Sequence, residues 1–154
     1  MKFIKYPMRN AVKDYFPLPN EIFSLGLCPG EISVYAYLLY CEDRKTHECW
    51  PSYNTIGNAL NISSPKTVRK YVEMLVEKDF IYSKKTKIIR MKYGICKGNM
   101  KYKIRPIHEA IMYYDQFLSR KIKNAKTLTE MNRWLKESYR RDEYRAEMSG
   151  ENSG

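Results

Sequence analysis

A chain of 154 residues with a formal charge of +11 and 44% hydrophobic residues has room for one core with appended segments, and its composition excludes disorder throughout. No apolar run is long enough to span a bilayer: the longest, Ile32 to Tyr40, covers about two helical turns and is broken by Ser33. Scattered charges and an early Pro7 fit no signal peptide, so the expected location is the cytoplasm.

In chain order, residues 1–29 carry Pro7, Pro17, Pro19 and Pro29 and predict an extended lead-in rather than regular structure. Phe16, Leu18, Ile22, Phe23 and Leu25 are apolar enough to dock it. Residues 30–107 read as the main domain. Helical periodicity begins after Gly30, with Ile32, Tyr35, Ala36 and Leu39 on one face and an end near Asp43 to Lys45. Glu48 to Trp50 can pair as a short strand, which Pro51 stops. Ser52 is placed to cap a helix from Tyr53 to Leu60 with Ile56 and Leu60 inward, and Asn61 suits its left-handed end. Ser64 then caps a third helix, with Pro65 at its first position, running to about Lys78 on a stripe of Val68, Val72 and Leu75.

The four cysteines, Cys28, Cys41, Cys49 and Cys96, form no C-x-x-C pair. Cys41, His47 and Cys49, with Cys28 as a remote fourth, lack the close ligand pairs that aim at one ion, so reduced thiols and no metal or cofactor are expected.

After Asp79 the pattern changes to two strands, Phe80 to Ser83 and Tyr102 to Ile104, joined by a long loop with Gly94, Gly98 and Asn99. Ser83 to Arg105 holds nine basic residues and no acidic one, and residues 1–107 carry 19 Lys/Arg against 9 Asp/Glu. A block this one-sided points to a polyanionic partner; it lacks the apolar face an interfacial membrane helix needs. Residues 108–147 hold two amphipathic helices. The first bears Ile107, Ala110, Ile111, Tyr114, Phe117, Leu118 and Ile122; the second, behind a Thr127/Glu130 capping box, bears Leu128, Met131, Trp134, Leu135 and Tyr139. Tyr113, Tyr114 and Tyr139 read as packing residues. The tail 148–154 is expected to fray. The fold class is thus mainly α with a small β-wing: a winged helix-turn-helix followed by C-terminal helices.

Two short helices separated by Leu60 to Ser64, then a basic two-stranded wing, make the constellation that carries function. With Val68, Val72 and Leu75 inward, the third helix presents Ser64, Lys66, Thr67, Arg69 and Lys70 outward near its N-terminus. That is the end with which recognition helices meet bases and phosphates. In the wing, Lys84, Lys85, Lys87, Arg90, Lys92 and Lys97 are the candidates for backbone or minor-groove contact; the plainer reading is a charged tip kept for solubility. No Gly-rich phosphate loop, G-x-S-x-G or H-E-x-x-H occurs, and His47 and His108 are the only histidines, so no catalytic residue is assigned and no enzyme is expected.

The run Ser63-Ser64-Pro65-Lys66-Thr67-Val68-Arg69-Lys70-Tyr71-Val72, continuing to Leu75, Glu77-Lys78 and Ile81, resembles the recognition helix of winged helix-turn-helix regulators, with Asp79 where that pattern usually has Gly. Phe16-Pro17-Leu18-Pro19, Leu25-Gly26-Leu27 and Ile32 to Leu39 are similar to the N-terminal winged-helix domain of plasmid replication initiators and of related phage and conjugative-element proteins. The resemblance spans about residues 15–107. It implies sequence-specific binding of double-stranded DNA, in replication initiation or transcription control of a mobile element. The alternative is a winged-helix module for protein–protein assembly without specific DNA binding. The apolar stripes of 108–147 point to a homodimer through the C-terminal helices, unless the domain itself covers them.

Overall fold

A computed structural model describes residues 15–86, 89–91, 94–96 and 99–150, with 89–91 and 94–96 given through their backbone. Residues 15–29 of the lead-in are less extended than the prolines suggest; residues 1–14, with Pro7, lie outside the described residues. Asn20–Phe23 forms a 3-10 turn that buries Ile22, and Leu25 follows it into the core, while Phe23 stays 68% exposed. Helix α1 (Pro29–Cys41) starts at the proline, one residue before the expected Gly30 boundary. Gly30 lets the Tyr71 ring pack close, since a Cβ there would lie 2.2 Å from that ring and displace it.

The buried face of α1 differs from the one its spacing suggests. Glu31, Val34, Tyr35 and Leu38 are buried, whereas Ile32, Ala36 and Leu39 are half-buried. This helix is apolar on two adjacent faces, so periodicity alone does not choose between them. Packing chooses, with the Tyr35 ring edge-on to Phe80 at 5.1 Å. Strand β1 (Glu48–Cys49) follows a turn in which His47 adopts a φ of 58°.

Helix α2 (Tyr53–Leu60) opens where Thr55 N–H donates to Ser52 Oγ at 3.1 Å and closes on Asn61 at φ 54°, both as the sequence predicts. Helix α3 (Pro65–Glu77) buries Val68, Val72 and Leu75. Ser64 holds the N-cap position, but its side chain makes no cap bond; its carbonyl accepts from Thr67 and Val68. The Thr67 N–H, a donor that a cap side chain would serve, is thus taken by the Ser64 carbonyl instead.

Strand β2 (Ile81–Lys85) and strand β5 (Met100–Ile104) pair antiparallel, and β5 pairs β1 on its other edge, giving the order β1-β5-β2. Between them the expected long loop contains a second hairpin, β3 (Ile89–Met91) with β4 (Gly94–Cys96). The wing therefore runs in two steps, and Thr86 marks the break: its N–H and Oγ1 both donate to the Asn99 carbonyl, at 2.9 and 2.8 Å.

Helix α4 (Ile107–Lys123) completes the core with Ala110, Tyr114 and Leu118. Helix α5 (Leu128–Ser149) extends beyond the expected fraying point and ends on Gly150 at φ 73°. Thr127 Oγ1 accepts from Glu130 N–H at 3.2 Å, while the Glu130 carboxylate accepts from Lys126 N–H, one residue earlier than a reciprocal box requires. Helix α5 docks through Trp134 on Phe117 (5.9 Å), Tyr114 Oη donating to Glu137 at 3.0 Å, an Arg145–Asp115 ion pair and the Tyr144 hydroxyl on the Asn20 carbonyl. Its expected apolar stripe is covered only at Trp134 and Leu135, which are half-buried; Leu128 and Tyr139 are 70% and 65% exposed, and Met131 is also exposed. Tyr139 is thus no packing residue, because α5 meets the body on the side of Trp134, Arg141 and Tyr144. These elements make a winged helix-turn-helix followed by two C-terminal helices.

Candidate nucleic-acid interface

The inward stripe of α3 leaves Lys66, Arg69, Lys70 and Glu73 exposed on its other side, with Ser64 and Thr67 half-buried at the N-terminal end. Arg69 is not a free cation: its Nε donates to Glu73 Oε1 at 2.7 Å, and this contact raises its pKa. Lys66 and Lys70 make no ion pair among the described residues.

Strand alternation divides the wing. Ile81, Ser83 and Lys85 lie on the face of Met100, Tyr102 and Ile104, which packs on the helices; Tyr82 and Lys84 lie on the other, with Lys101 and Lys103. Lys85 alone of the described wing candidates therefore joins α3. It lines a cleft of about 300 Å³ with Tyr53, Arg69 and Glu73, and an adjoining one of about 400 Å³ with Ser52, Asn54, Pro65 and Asn99. Lys84 pairs in register with Lys101 on the opposite face. Lys87, Lys92 and Lys97 lie outside the described residues, as does the side chain of Arg90, whose backbone sits in β3 opposite Ile95.

Among the described residues, two cations of the basic block are engaged inside the fold. Lys101 Nζ lies 2.8 Å from Glu48 Oε2 and 5.7 Å from the centre of the Trp50 ring. Arg105 pairs with both Asp79 and Glu109 and stacks over Tyr82 at 4.3 Å. Both acids of Arg105 and the acid of Lys101 lie outside the block, so linear charge counting overstates what is left for a partner.

The orientation of α3 is held at its far end. Lys78 Nζ lies 2.8 Å from Glu31 Oε1 and also donates to the Gly26 carbonyl at 3.1 Å, and Cys28 N–H donates to Glu31 Oε2 at 2.8 Å. Glu31 is fully buried, and a buried carboxylate is tolerated only when so partnered. Tyr53 and Asn54 at the start of α2, and Glu73 on α3, were not among the sequence candidates. The Ser52 cap was the available signal, since it marks a second helix N-terminus, but only the folded chain brings it beside Lys85. Among the described residues no group of three His, Cys, Asp or Glu side chains converges as a metal site, and no helix is long and apolar enough to cross a membrane.

Residues 25–81 match a family model described as a helix-turn-helix domain, which spans α1 to the first residue of β2. Comparison with curated proteins gives no match. Among solved structures, one described as a possible transcriptional regulator from Methanosarcina mazei Go1 aligns with a TM-score of 0.42 at 19% identity, covering 68% of this chain and 84% of that one.

Proposed function

We propose that this helix-turn-helix protein binds double-stranded DNA sequence-specifically and acts in transcription control or replication initiation of a phage, plasmid or conjugative element, without catalytic activity. The observation that carries the reading is that Arg69 of α3 and Lys85 of the wing line one cleft, with Lys66 and Lys70 exposed on α3 and unpaired among the described residues. Helix N-terminal cations suit base edges and phosphates, and a wing lysine suits the flanking backbone. Ser64, Thr67, Lys87, Arg90, Lys92 and Lys97 are proposed as further DNA contacts, while Lys84, on the opposite face of the sheet, is not. The mobile-element context rests on the resemblance of residues 15–107 alone.

The test is a labelled-duplex titration at several salt concentrations. If five or six phosphates are neutralised, affinity falls about 10³-fold between roughly 50 and 200 mM salt. A flat log–log plot would overturn the reading. The exposed row Leu128, Met131 and Tyr139 supports homodimerisation through α5, and equally a second reading as an assembly module; that reading predicts salt-independent binding to a protein partner.

A further inference from the structure

Away from the α3–wing surface, a cleft of about 560 Å³ opens between the lead-in, α1, β5 and the start of α4. It shares no lining residue with the two clefts beside α3. Leu18, Leu39, Ile104 and Ile107 form its apolar lining, with Pro17, Pro19 and Pro106 as rigid walls. Its size lies within the range of small-molecule sites, which pair an apolar body with a few polar groups at the rim.

Those rim groups select a charge. Glu42 is engaged by His47, whose Nδ1 is 3.2 Å from its carboxylate. Arg105 is engaged by Asp79 and Glu109. Lys103 is exposed and makes no ion pair among the described residues, which leaves one uncommitted cation beside an apolar hollow. We propose that this cleft binds a small monocarboxylate with an apolar body, its acid group on Lys103 and its body against Leu18, Leu39 and Ile107. The occupant would also touch Arg105, the residue that joins the end of α3 to β5 and α4. The proposal goes beyond the DNA-binding reading and does not depend on it.

Titration of the full chain with decanoate below its micelle concentration, followed by amide chemical shifts without DNA, tests it. Decylammonium, with the same tail and opposite charge, is the control. Saturable shifts are expected around Leu18, Leu39, His47, Lys103 and Ile107. Lys103→Glu, an exposed substitution that leaves the core intact, should weaken decanoate about tenfold, as for loss of one charge-assisted contact. Equal binding of decanoate and decylammonium, unchanged decanoate affinity in Lys103→Glu, or shifts confined to α5 would each overturn the proposal.

Discussion

Asp79 stands at a φ of 62°, in the left-handed region, immediately after α3. Glycine would adopt that conformation without strain, but only a carboxylate there can hold Arg105. The residue therefore exchanges a local backbone cost for a tether between α3, β5 and α4. Asp79→Ala loses the tether and keeps the strain, whereas Asp79→Gly loses the tether and relieves the strain. The alanine variant is expected to be the less stable of the two by about 1 kcal/mol, read from urea midpoints; the reverse order would show that Asp79 is not strained. Tyr102 poses the opposite case. It is fully buried at the centre of the sheet, its hydroxyl has no hydrogen-bond partner among the described residues, and burial pushes its pKa up. Removing an unsatisfied hydroxyl while keeping the ring costs nothing in packing, so Tyr102→Phe is expected to be neutral or stabilising by up to about 1 kcal/mol. A clear loss in the same denaturation assay would mean that the hydroxyl is in fact satisfied.

At the scale of elements, the proposed DNA binding is divided between α3 and the wing. Lys66→Ala and Lys70→Ala are expected to weaken a specific site more than a scrambled one, because groups on the recognition helix read bases. Lys85→Ala is expected to weaken both alike, since a wing lysine mainly neutralises phosphate. Glu73 gives the assignment a signed test. It occupies the same exposed face and holds the Arg69 guanidinium, so Glu73→Ala removes a repulsion from phosphate and frees a cation. Affinity for any duplex should rise, by about two- to fivefold. Fluorescence anisotropy on matched and scrambled duplexes reads all four variants, and a fall in affinity for Glu73→Ala would move the DNA off this face of α3.

For the whole molecule, the two C-terminal helices part company. Helix α4 gives Ala110, Tyr114 and Leu118 to the common core, so its stripe is covered by the chain itself and needs no second copy. A chain ending at Arg105 should lose its cooperative unfolding transition rather than merely dissociate. Helix α5 adds an aromatic contact and several polar ones but leaves Leu128, Met131 and Tyr139 in water. A chain ending at Lys126 should therefore stay folded and monomeric, while the full chain associates. Sedimentation of both at micromolar concentration checks this, and a monomeric full chain would remove the dimer.

Local rules determined the helix-turn-helix from the sequence alone. The Ser52 cap, the left-handed Asn61, Pro65 at a helix start and the Val68/Val72/Leu75 stripe all depend on neighbours within a turn or two, and such short-range signals survive without tertiary context. The basic surplus before residue 108 was legible for the same reason, being a matter of counting. Only the tertiary structure decided which face of α1 is buried, because both faces are apolar and the choice lies with Phe80 and α3. It also decided which cations remain free: Glu48, Asp79 and Glu109 lie outside the basic block, and folding brings them to Lys101 and Arg105. The separation of Lys84 from Lys85 follows from strand register, and the meeting of Lys85 with Tyr53 and Arg69 from the packing of the sheet on α2 and α3. Contacts between residues far apart in the chain carry no periodic signature, so charge and polarity could be read in advance while their pairing could not.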